Sequence, residues 1–343
     1  MSRKKKNPAL LWQIFTNMWI NKNSCFLWIS TYKPWYTRTE SLHALFQQEW
    51  VKYKFWDTYH KNYIYRYIKT VWFAIKNIQH TDVFFIHFRW YEIFFPIYIL
   101  AKLFWKKIVF DHFVSTRDTL CNDRKKFKPD GIIGKALHFF DIKLIQLSDY
   151  TLLDTKTHKD YFVKEFLWGK ENNKVWYIYV WCNTELFYPQ ETKKDSEKYR
   201  VFRYGTVLPL QGLEVILQAA KLCELDSNIE FVLVWPAYKA YTNLIKNLEL
   251  SNTIFIDRVP YKELANEIRK SDICLWWHFS TIKKATRVIA WKSYQFIECG
   301  IPTILWENKA NKELYSDHKN IHWVEMWSPK KLSDLIINIY KHS

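Results

Sequence analysis

The stretch Tyr199-Arg-Val-Phe-Arg-Tyr204-Gly205-Thr206-Val-Leu-Pro209-Leu-Gln211-Gly212-Leu-Glu-Val-Ile-Leu-Gln-Ala-Ala220 opens on an aromatic and β-branched run. It breaks at glycine and proline, then resumes with apolar residues at helical spacing. Tyr199 to Tyr204 therefore reads as a strand and Leu213 to Glu224 as a helix. A glycine turn from strand to helix suits a phosphate, because free backbone N–H groups and the helix dipole both favour an anion. Such turns also close many βαβ units that hold no ligand, so the turn alone decides nothing about function.

The same rhythm runs outward in both directions. Downstream, strands are expected at Ile229 to Val234, Thr253 to Ile256, Ile273 to Leu275 and Thr303 to Leu305. Helices near Tyr238 to Leu248, Tyr261 to Lys270 and Lys292 to Cys299 separate them. Upstream, strands are expected at Ser24 to Ile29, Val51 to Phe55, Val83 to His87, Lys107 to Asp111, Tyr150 to Asp154 and Val175 to Val180. Helices at Thr39 to Gln48, Tyr59 to Asn77 and Lys135 to Leu147 lie between them. Alternation of this kind predicts an α/β protein with parallel, doubly wound sheets. The polar run Pro189 to Lys198 reads as a linker. Two Rossmann-like domains follow, residues 1–190 and 191–343, with ligands expected at the carboxyl ends of the strands and in the cleft between domains.

Length and composition agree. The 343 residues are 49% hydrophobic and 25% charged, which fits two globular cores and excludes a disordered or collagen-like chain. The net charge is +17 and it is uneven. Residues 1–190 carry 29 Lys and Arg against 16 Asp and Glu (29 − 16 = +13), and residues 191–343 carry 22 against 18 (22 − 18 = +4). An excess confined to one half suggests an anionic partner, a membrane face or a nucleic acid, although scattered lysines also make an ordinary solvated surface. The six cysteines are far apart, with no C-x-x-C pair and no Cys/His ligand spacing, so no metal, zinc site or disulfide framework is expected and a reducing cytoplasm fits. The basic start Met1 to Lys6 is followed by apolar positions broken by Gln13, Asn17, Asn21 and Lys22, which argues against a secretory signal. The run Tyr91 to Trp105, interrupted by Pro96 and Lys102, is too short to span a bilayer and reads as a buried or an interfacial helix.

Three segments together carry a resemblance. They are Tyr204 to Ala220 as quoted, Phe255-Ile-Asp-Arg-Val-Pro-Tyr-Lys-Glu-Leu264, and Lys292-Ser-Tyr-Gln-Phe-Ile-Glu-Cys-Gly-Ile-Pro302. Over about 140 residues this resembles the C-terminal domain of GT-B glycosyltransferases of the family 4 type. The N-terminal half is similar more thinly, through Ile29-Ser-Thr-Tyr-Lys-Pro-Trp35-Tyr-Thr-Arg38 followed by Leu42 and Leu45, where the family has a glycine-rich loop near the donor phosphates. The resemblance implies a nucleotide-sugar donor held mainly by the second domain, transfer with retention of configuration, no cofactor and no required metal. The donor-side residues it points to are Gly205, Thr206, Gln211, Trp291 and Gln295, and the four cations Lys283, Lys284, Arg287 and Lys292 after the strand Ile273 to Leu275 read either as a solvated loop or, at a strand's carboxyl end, as a diphosphate clamp. On the acceptor or phosphate-loop side it points to Trp35 and Arg38.

This chain departs from the family pattern. Many members have Arg and Lys at the positions of Thr206 and Gln211, and paired Glu at those of Arg287 and Gln295. Lys292, Arg287, Lys283 and Lys284 can resupply the cations on a diphosphate, Lys292 foremost. Gln295 still hydrogen-bonds a ribose hydroxyl, whereas Arg287 has no acceptor. Transfer from a sugar nucleotide needs stabilisation of the departing diphosphate. In the first domain, the strand end Phe110-Asp111-His112 with Ser115, Arg117 and Asp118 is the densest polar cluster. Asp111 or His112 is the candidate to orient the sugar or take the acceptor's proton. The plainer reading is that Asp111 caps the turn, that His112 is an exposed loop residue and that Arg38 makes a surface salt bridge.

The leading expectation is a hexosyltransferase that moves a sugar to a cell-envelope glycan or lipid-linked acceptor, cytoplasmic, with peripheral attachment to the inner membrane face left open. A non-catalytic sugar-nucleotide binder is favoured by the lost Arg, Lys and Glu. A basic nucleic-acid binder is disfavoured, because no helix-turn-helix, RNA-recognition or zinc signature is present.

One compositional anomaly bears on every motif. Glycine occurs 6 times and tryptophan 19, together 6 + 19 = 25, where ordinary usage of roughly 7% predicts about 24 glycines. Trp28, Trp35, Trp50, Trp181, Trp235, Trp276, Trp277, Trp291 and Trp306 stand where the family resemblance expects glycine, many of them at strand ends. Some bacterial codes read UGA as glycine and others as tryptophan, so one codon exchanges only these two residues. On that reading, the chain as written should show crowded or expelled indoles near the donor site.

Overall fold

The computed structural model describes the chain except residues 1–2, 22, 31–35, 58–61, 89–90, 171–172, 206–210, 235–240, 277–282, 288, 290 and 326. The side chains of residues 3–8, 283 and 291 are likewise outside it. The chain forms two compact units, Met1–Trp181 and Cys182–Ser343.

In the first unit the apolar runs become β1 (Cys25–Ser30), β2 (Lys52–Asp57), β3 (Val83–Ile86), β4 (Lys107–Asp111), β5 (Tyr150–Leu153) and β6 (Val175–Tyr177). All pair in parallel, in the order β2-β1-β3-β4-β5-β6. Parallel neighbours require crossover helices. These are α1 (Arg3–Asn17), α2 (Thr37–Gln48), α3 (Tyr63–Asn77), α4 (Phe94–Leu103), α5 (Ile132–Leu147) and α6 (Lys156–Phe166), of which α1 precedes the sheet. The pleat sends Phe26 and Trp28 of β1 toward α1 and α2, and Leu27 and Ile29 toward α3, α4 and α5, so each face has its own core. The run Tyr91 to Trp105 is neither fully buried nor fully interfacial. In α4, Phe94, Ile97 and Ala101 pack on the sheet while Phe95, Ile99 and Leu103 face solvent.

The second unit repeats the plan with β7 (Tyr199–Tyr204), β8 (Ile229–Val234), β9 (Thr253–Ile256), β10 (Ile273–Leu275), β11 (Thr303–Trp306) and β12 (Ile321–Val324). Every residue of β7, β8, β10 and β11 is buried, as expected of parallel strands covered on both faces. The helices are α7 (Leu213–Cys223), α8 (Thr242–Leu248), α9 (Leu264–Arg269), α10 (Trp291–Glu298), α11 (Lys309–Tyr315) and α12 (Pro329–Lys341). The order β12-β11-β10-β7-β8-β9 is the dinucleotide-fold order 3-2-1-4-5-6 read from its other edge, with the topological switch between β7 and β10. The first sheet switches between β1 and β3. The expected α/β class with two doubly wound sheets is what the chain forms.

The structure also bears on the anomalous tryptophans. Trp28 is fully buried and stacked on His43, with ring centroids 4.2 Å apart and planes 11° apart. Trp181, Trp276 and Trp306 are buried too, and none of these four has a positive φ. These four indoles are not expelled, and burial with ordinary φ does not decide whether they are crowded. Trp50 is different, at φ 56° and largely in solvent. Trp35, Trp235 and Trp277 lie outside the described residues.

Candidate functional site

Crevices for ligands open where strand order reverses, at the carboxyl ends of the strands flanking the switch. In the first sheet this places the residues after β1 and β3 in view, and three charged or titratable groups converge there. Arg38, second residue of α2, is fully buried; its Nη2 lies 2.8 Å from Asp111 Oδ1 and its Nε 3.4 Å from Oδ2. It also donates to the carbonyl of Leu153 at 3.2 Å and to that of Ile178. His87, immediately after β3, sets Nδ1 3.0 Å from Asp111 Oδ2 and Nε2 2.9 Å from Thr39 Oγ1. Burial pushes the Asp111 carboxyl up, but the Arg38 guanidinium and His87 outweigh it and hold the group below the usual carboxylate range. Burial lowers the His87 imidazole despite Asp111.

Asp111 was expected to orient sugar or take a proton. Both its oxygens are instead engaged inside the unit, so it holds Arg38 and His87 in place. Arg38 is likewise no surface residue: it ties α2 to β4, β5 and the chain after β6. His112 is buried rather than an exposed loop residue. Its Nε2 is 3.1 Å from Asp141 Oδ1, and Nδ1 has no hydrogen-bond partner among the described residues. With Nε2–H directed at the carboxylate, a neutral ring leaves Nδ1 as an acceptor.

Asp141, from the middle of α5, organises the whole loop after β4. It accepts from Ser115 Oγ (2.7 Å), Thr116 Oγ1 (2.8 Å), Thr116 N (3.0 Å) and Arg117 N (3.0 Å). Burial raises its carboxyl, and His112 with these donors brings it below the usual range. Sequence reasoning passed over Asp141 and His87. The signal for Asp141 was present: it is the only acid in the apolar helix Ile132–Leu147.

In the second unit, Gly205 closes β7 at φ 139° and donates to the Val234 carbonyl at 3.1 Å. Lys292 and Gln295, one turn apart on α10, both meet Tyr204. The Lys292 ammonium sits 4.7 Å from the ring centroid, and the Tyr204 hydroxyl donates to Gln295 Oε1. Burial, then the nearby Arg203 guanidinium, push the Lys292 amine well below its ordinary value. Gln211 Oε1 accepts from Arg203 Nη2 at 2.9 Å. Arg203 was not singled out in the sequence. It is fully buried, and among the described residues its Nε and Nη1 find no hydrogen-bond partner. Burial pushes it down to about 10.

Lys283–Thr286 forms a short 3-10 turn, anchored where Asn308 Nδ2 donates to the Ala285 carbonyl at 2.9 Å. Lys284 and Arg287 are buried beside it, Arg287 N donating to Lys284 O at 3.2 Å. The structure thus brings Lys292 and Gln295 together at Tyr204, and Gln211 to Arg203. Thr206 and Trp35 fall outside the described residues, as do the side chains of Lys283 and Trp291. Among the described residues no three His, Cys, Asp or Glu side chains gather as a metal site would need. Gly205, Lys292 and Gln295 meet at the end of β7, beside the β7–β10 switch, an arrangement that can stabilise an anion.

Residues 185–343 match the family of glycosyl transferases group 1. Solved structures extend the likeness to the first unit. The Anabaena protein Alr3699/HepE in complex with UDP and glucose has a TM-score of 0.66 at 10% identity, over 93% of this chain and 90% of that one. Sucrose-phosphate synthase (tll1590) from Thermosynechococcus elongatus has a TM-score of 0.69 at 12% identity, over 93% and 90%. TarM has a TM-score of 0.61 at 10% identity, over 81% of this chain and 52% of that one. At such identities the likeness shows the GT-B fold. No curated protein matches the chain. Residues 185–343 are glycosyltransferase-like, the whole chain shares the fold, and neighbours of that fold were solved with UDP, UDP and glucose, or UDP-glucose.

Proposed function

We propose that the protein is a retaining glycosyltransferase of the family 4 type, moving a hexose from a nucleotide-sugar to a cell-envelope glycan or lipid-linked acceptor. The observation that carries this reading is the pair Lys292 and Gln295 on one face of α10, buried against Tyr204 beside the β7–β10 switch. A family match over the same unit supports it. Lys292 neutralises the departing diphosphate, with Lys284 and Arg287 as the further cations. Gln295 serves the ribose, and Gly205 lets the backbone approach the phosphates. The solved neighbours make UDP the first base to try. His112, oriented by Asp141, keeps its Nδ1 buried in this structure, and it would serve a sugar hydroxyl or take the acceptor's proton once donor binding opens that atom. Asp111 positions Arg38 and His87 and touches no substrate.

Membrane attachment is part of the proposal. The outward faces of α3, α4 and α5 expose Ile64, Ile68, Ile75, Phe95, Ile99 and Phe139. Neither α3 nor α4 contains an acid, and the single acid of α5, Asp141, is buried. Lys69 lies over the Tyr65 and Trp72 rings at 5.4 and 5.6 Å, and Lys143 over Phe139 at 5.1 Å. An apolar face on helices that carry cations and no exposed acid suits an anionic bilayer. Among the described residues no helix is long and apolar enough to cross one.

Thermal shift with UDP-, GDP- and ADP-sugars tests the donor. A selective shift followed by transfer to a lipid or glycan acceptor supports the enzyme, a shift without transfer supports a binding protein, and no shift with any of them removes the donor site. Vesicle flotation tests the membrane: binding should require anionic lipid and fall with salt, and equal binding to neutral vesicles would defeat it.

A further inference from the structure

Among the described residues, four helices end in one hydrogen-bond pattern. At the end of α10, Gly300 N donates to Ile297 O (3.0 Å) and Ile301 N to Phe296 O (3.2 Å), with Gly300 at φ 79°. After α1, Trp19 N donates to Thr16 O (3.0 Å) and Ile20 N to Phe15 O (2.9 Å). After α2, Trp50 N donates to Gln47 O (3.1 Å) and Val51 N to Phe46 O (2.9 Å). After α4, Trp105 N donates to Lys102 O (3.5 Å) and Lys106 N to Ala101 O (2.8 Å). The paired bonds make the Schellman motif, whose left-handed residue is usually glycine because it alone lacks a Cβ. Trp19, Trp50 and Trp105 occupy that residue at φ 57°, 56° and 55°.

No packing repays the strain. The three side chains are 94%, 87% and 93% exposed, so each indole makes the backbone bear a Cβ and returns almost no buried surface. Trp168 (φ 54°, 69% exposed), beside Gly169 (φ 75°) after α6, and Trp327 (φ 66°), before α12, share the conformation, although Trp327 packs in part on the core of its unit. Tryptophan is 19 of 343 residues, yet among the described residues it fills five of the seven non-glycine positions with positive φ. A requirement for an aromatic would not select left-handed backbone. A requirement for glycine would.

We propose that Trp19, Trp50, Trp105, Trp168 and Trp327 are glycines in the protein as its source makes it, the codon written here as tryptophan being UGA read as glycine. The inference stands on backbone geometry and does not depend on the proposed activity. It also accounts for the composition, since an exchange at one codon leaves glycines from other codons in place, as at Gly300. The buried Trp28, Trp181, Trp276 and Trp306 have ordinary φ, and their backbone does not decide between the two residues.

Two measurements test it. The first is the mass of peptides spanning positions 19, 50 and 105 in protein isolated from its source organism. Glycine masses are expected at all three, and tryptophan masses would overturn the proposal. The second uses the chain as written, carrying Trp19→Gly, Trp50→Gly or Trp105→Gly, each beside the matching alanine variant. Alanine also removes the indole but keeps the Cβ, so the comparison isolates the backbone. Each glycine variant should favour the folded state by about tenfold over its alanine counterpart in denaturant titration. Equal stability of the glycine and alanine variants at all three positions would remove the geometric premise.

Discussion

Two buried arginines in this chain should respond to the same substitution with opposite sign. Arg203 is fully buried and makes one hydrogen bond, to Gln211, with Nε and Nη1 unpartnered among the described residues. Its guanidinium is pushed from 12.5 to about 10, chiefly by burial. At about 1.4 kcal/mol per pKa step, that is a loss of about 3 kcal/mol in its preference for the charged form. Arg203→Met removes the desolvated charge, keeps most of the volume, and leaves the Gln211 carbonyl short of a donor, which costs about 1 to 2 kcal/mol. The net expectation is a gain of about 1 to 2 kcal/mol, read as a higher urea midpoint at unchanged slope. Arg38 is equally buried but faces Asp111 and two backbone carbonyls. Arg38→Met strands a buried carboxylate and should cost about 3 to 5 kcal/mol. A loss of stability in Arg203→Met comparable to that in Arg38→Met would refute the reasoning, because it would mean that Arg203 is fully compensated.

Lys292→Ala should weaken nucleotide-sugar binding by about 1.5 to 3 kcal/mol, the scale of a charge-assisted hydrogen bond, and Gln295→Ala by less; unchanged donor affinity by calorimetry in Lys292→Ala would unseat it from the diphosphate. Asp141→Asn should lower kcat more than it raises KM for the donor, since it releases the His112 ring and the loop after β4 while leaving α10 intact; a pure KM effect would contradict the assignment. Stability should fall on acidification from about pH 6.5. His87 and His43, the latter lowered to about 4 mainly by burial, stay neutral in the fold while the unfolded chain protonates near 6.5. Asp111 and Asp141, held below the ordinary 3.8, add a second loss at lower pH. Thermal melts between pH 8 and 4 check the sign, and a midpoint that rises between pH 6.5 and 4.5 would contradict it.

The fold was legible because parallel strands buried on both faces cannot hide. β7, β8 and β10, buried along their length, span the residues expected of them, as does the half-exposed edge strand β9, each a short apolar run between turn signals. What escaped were elements whose signal is a cap rather than a run. α6 starts at Thr155, whose hydroxyl accepts from His158 N at 3.1 Å, and α12 at Ser328, which accepts from Lys331 N at 3.1 Å ahead of Pro329. Both begin with polar, charged first turns, and hydropathy alone passes over such starts. β12, Ile-His-Trp-Val, is only four residues long and edges its sheet.

The partners of the expected site residues were not legible in the sequence. Asp111 and His112 sit side by side in the sequence, and nothing there says which of two neighbouring polar residues faces inward to a distant arginine. Partners 73 and 29 residues away decide it: Arg38 takes the first and Asp141 the second. Cations at a strand's end are visible one at a time, whereas their compensation is a property of the folded surroundings. The same limit applied to tryptophan. Reading the sequence against a family placed the anomaly at strand ends, where several indoles turn out to be packed at ordinary φ. The backbone places it at helix ends, because a left-handed residue reports what its own Cα can carry, whatever side chain is written there.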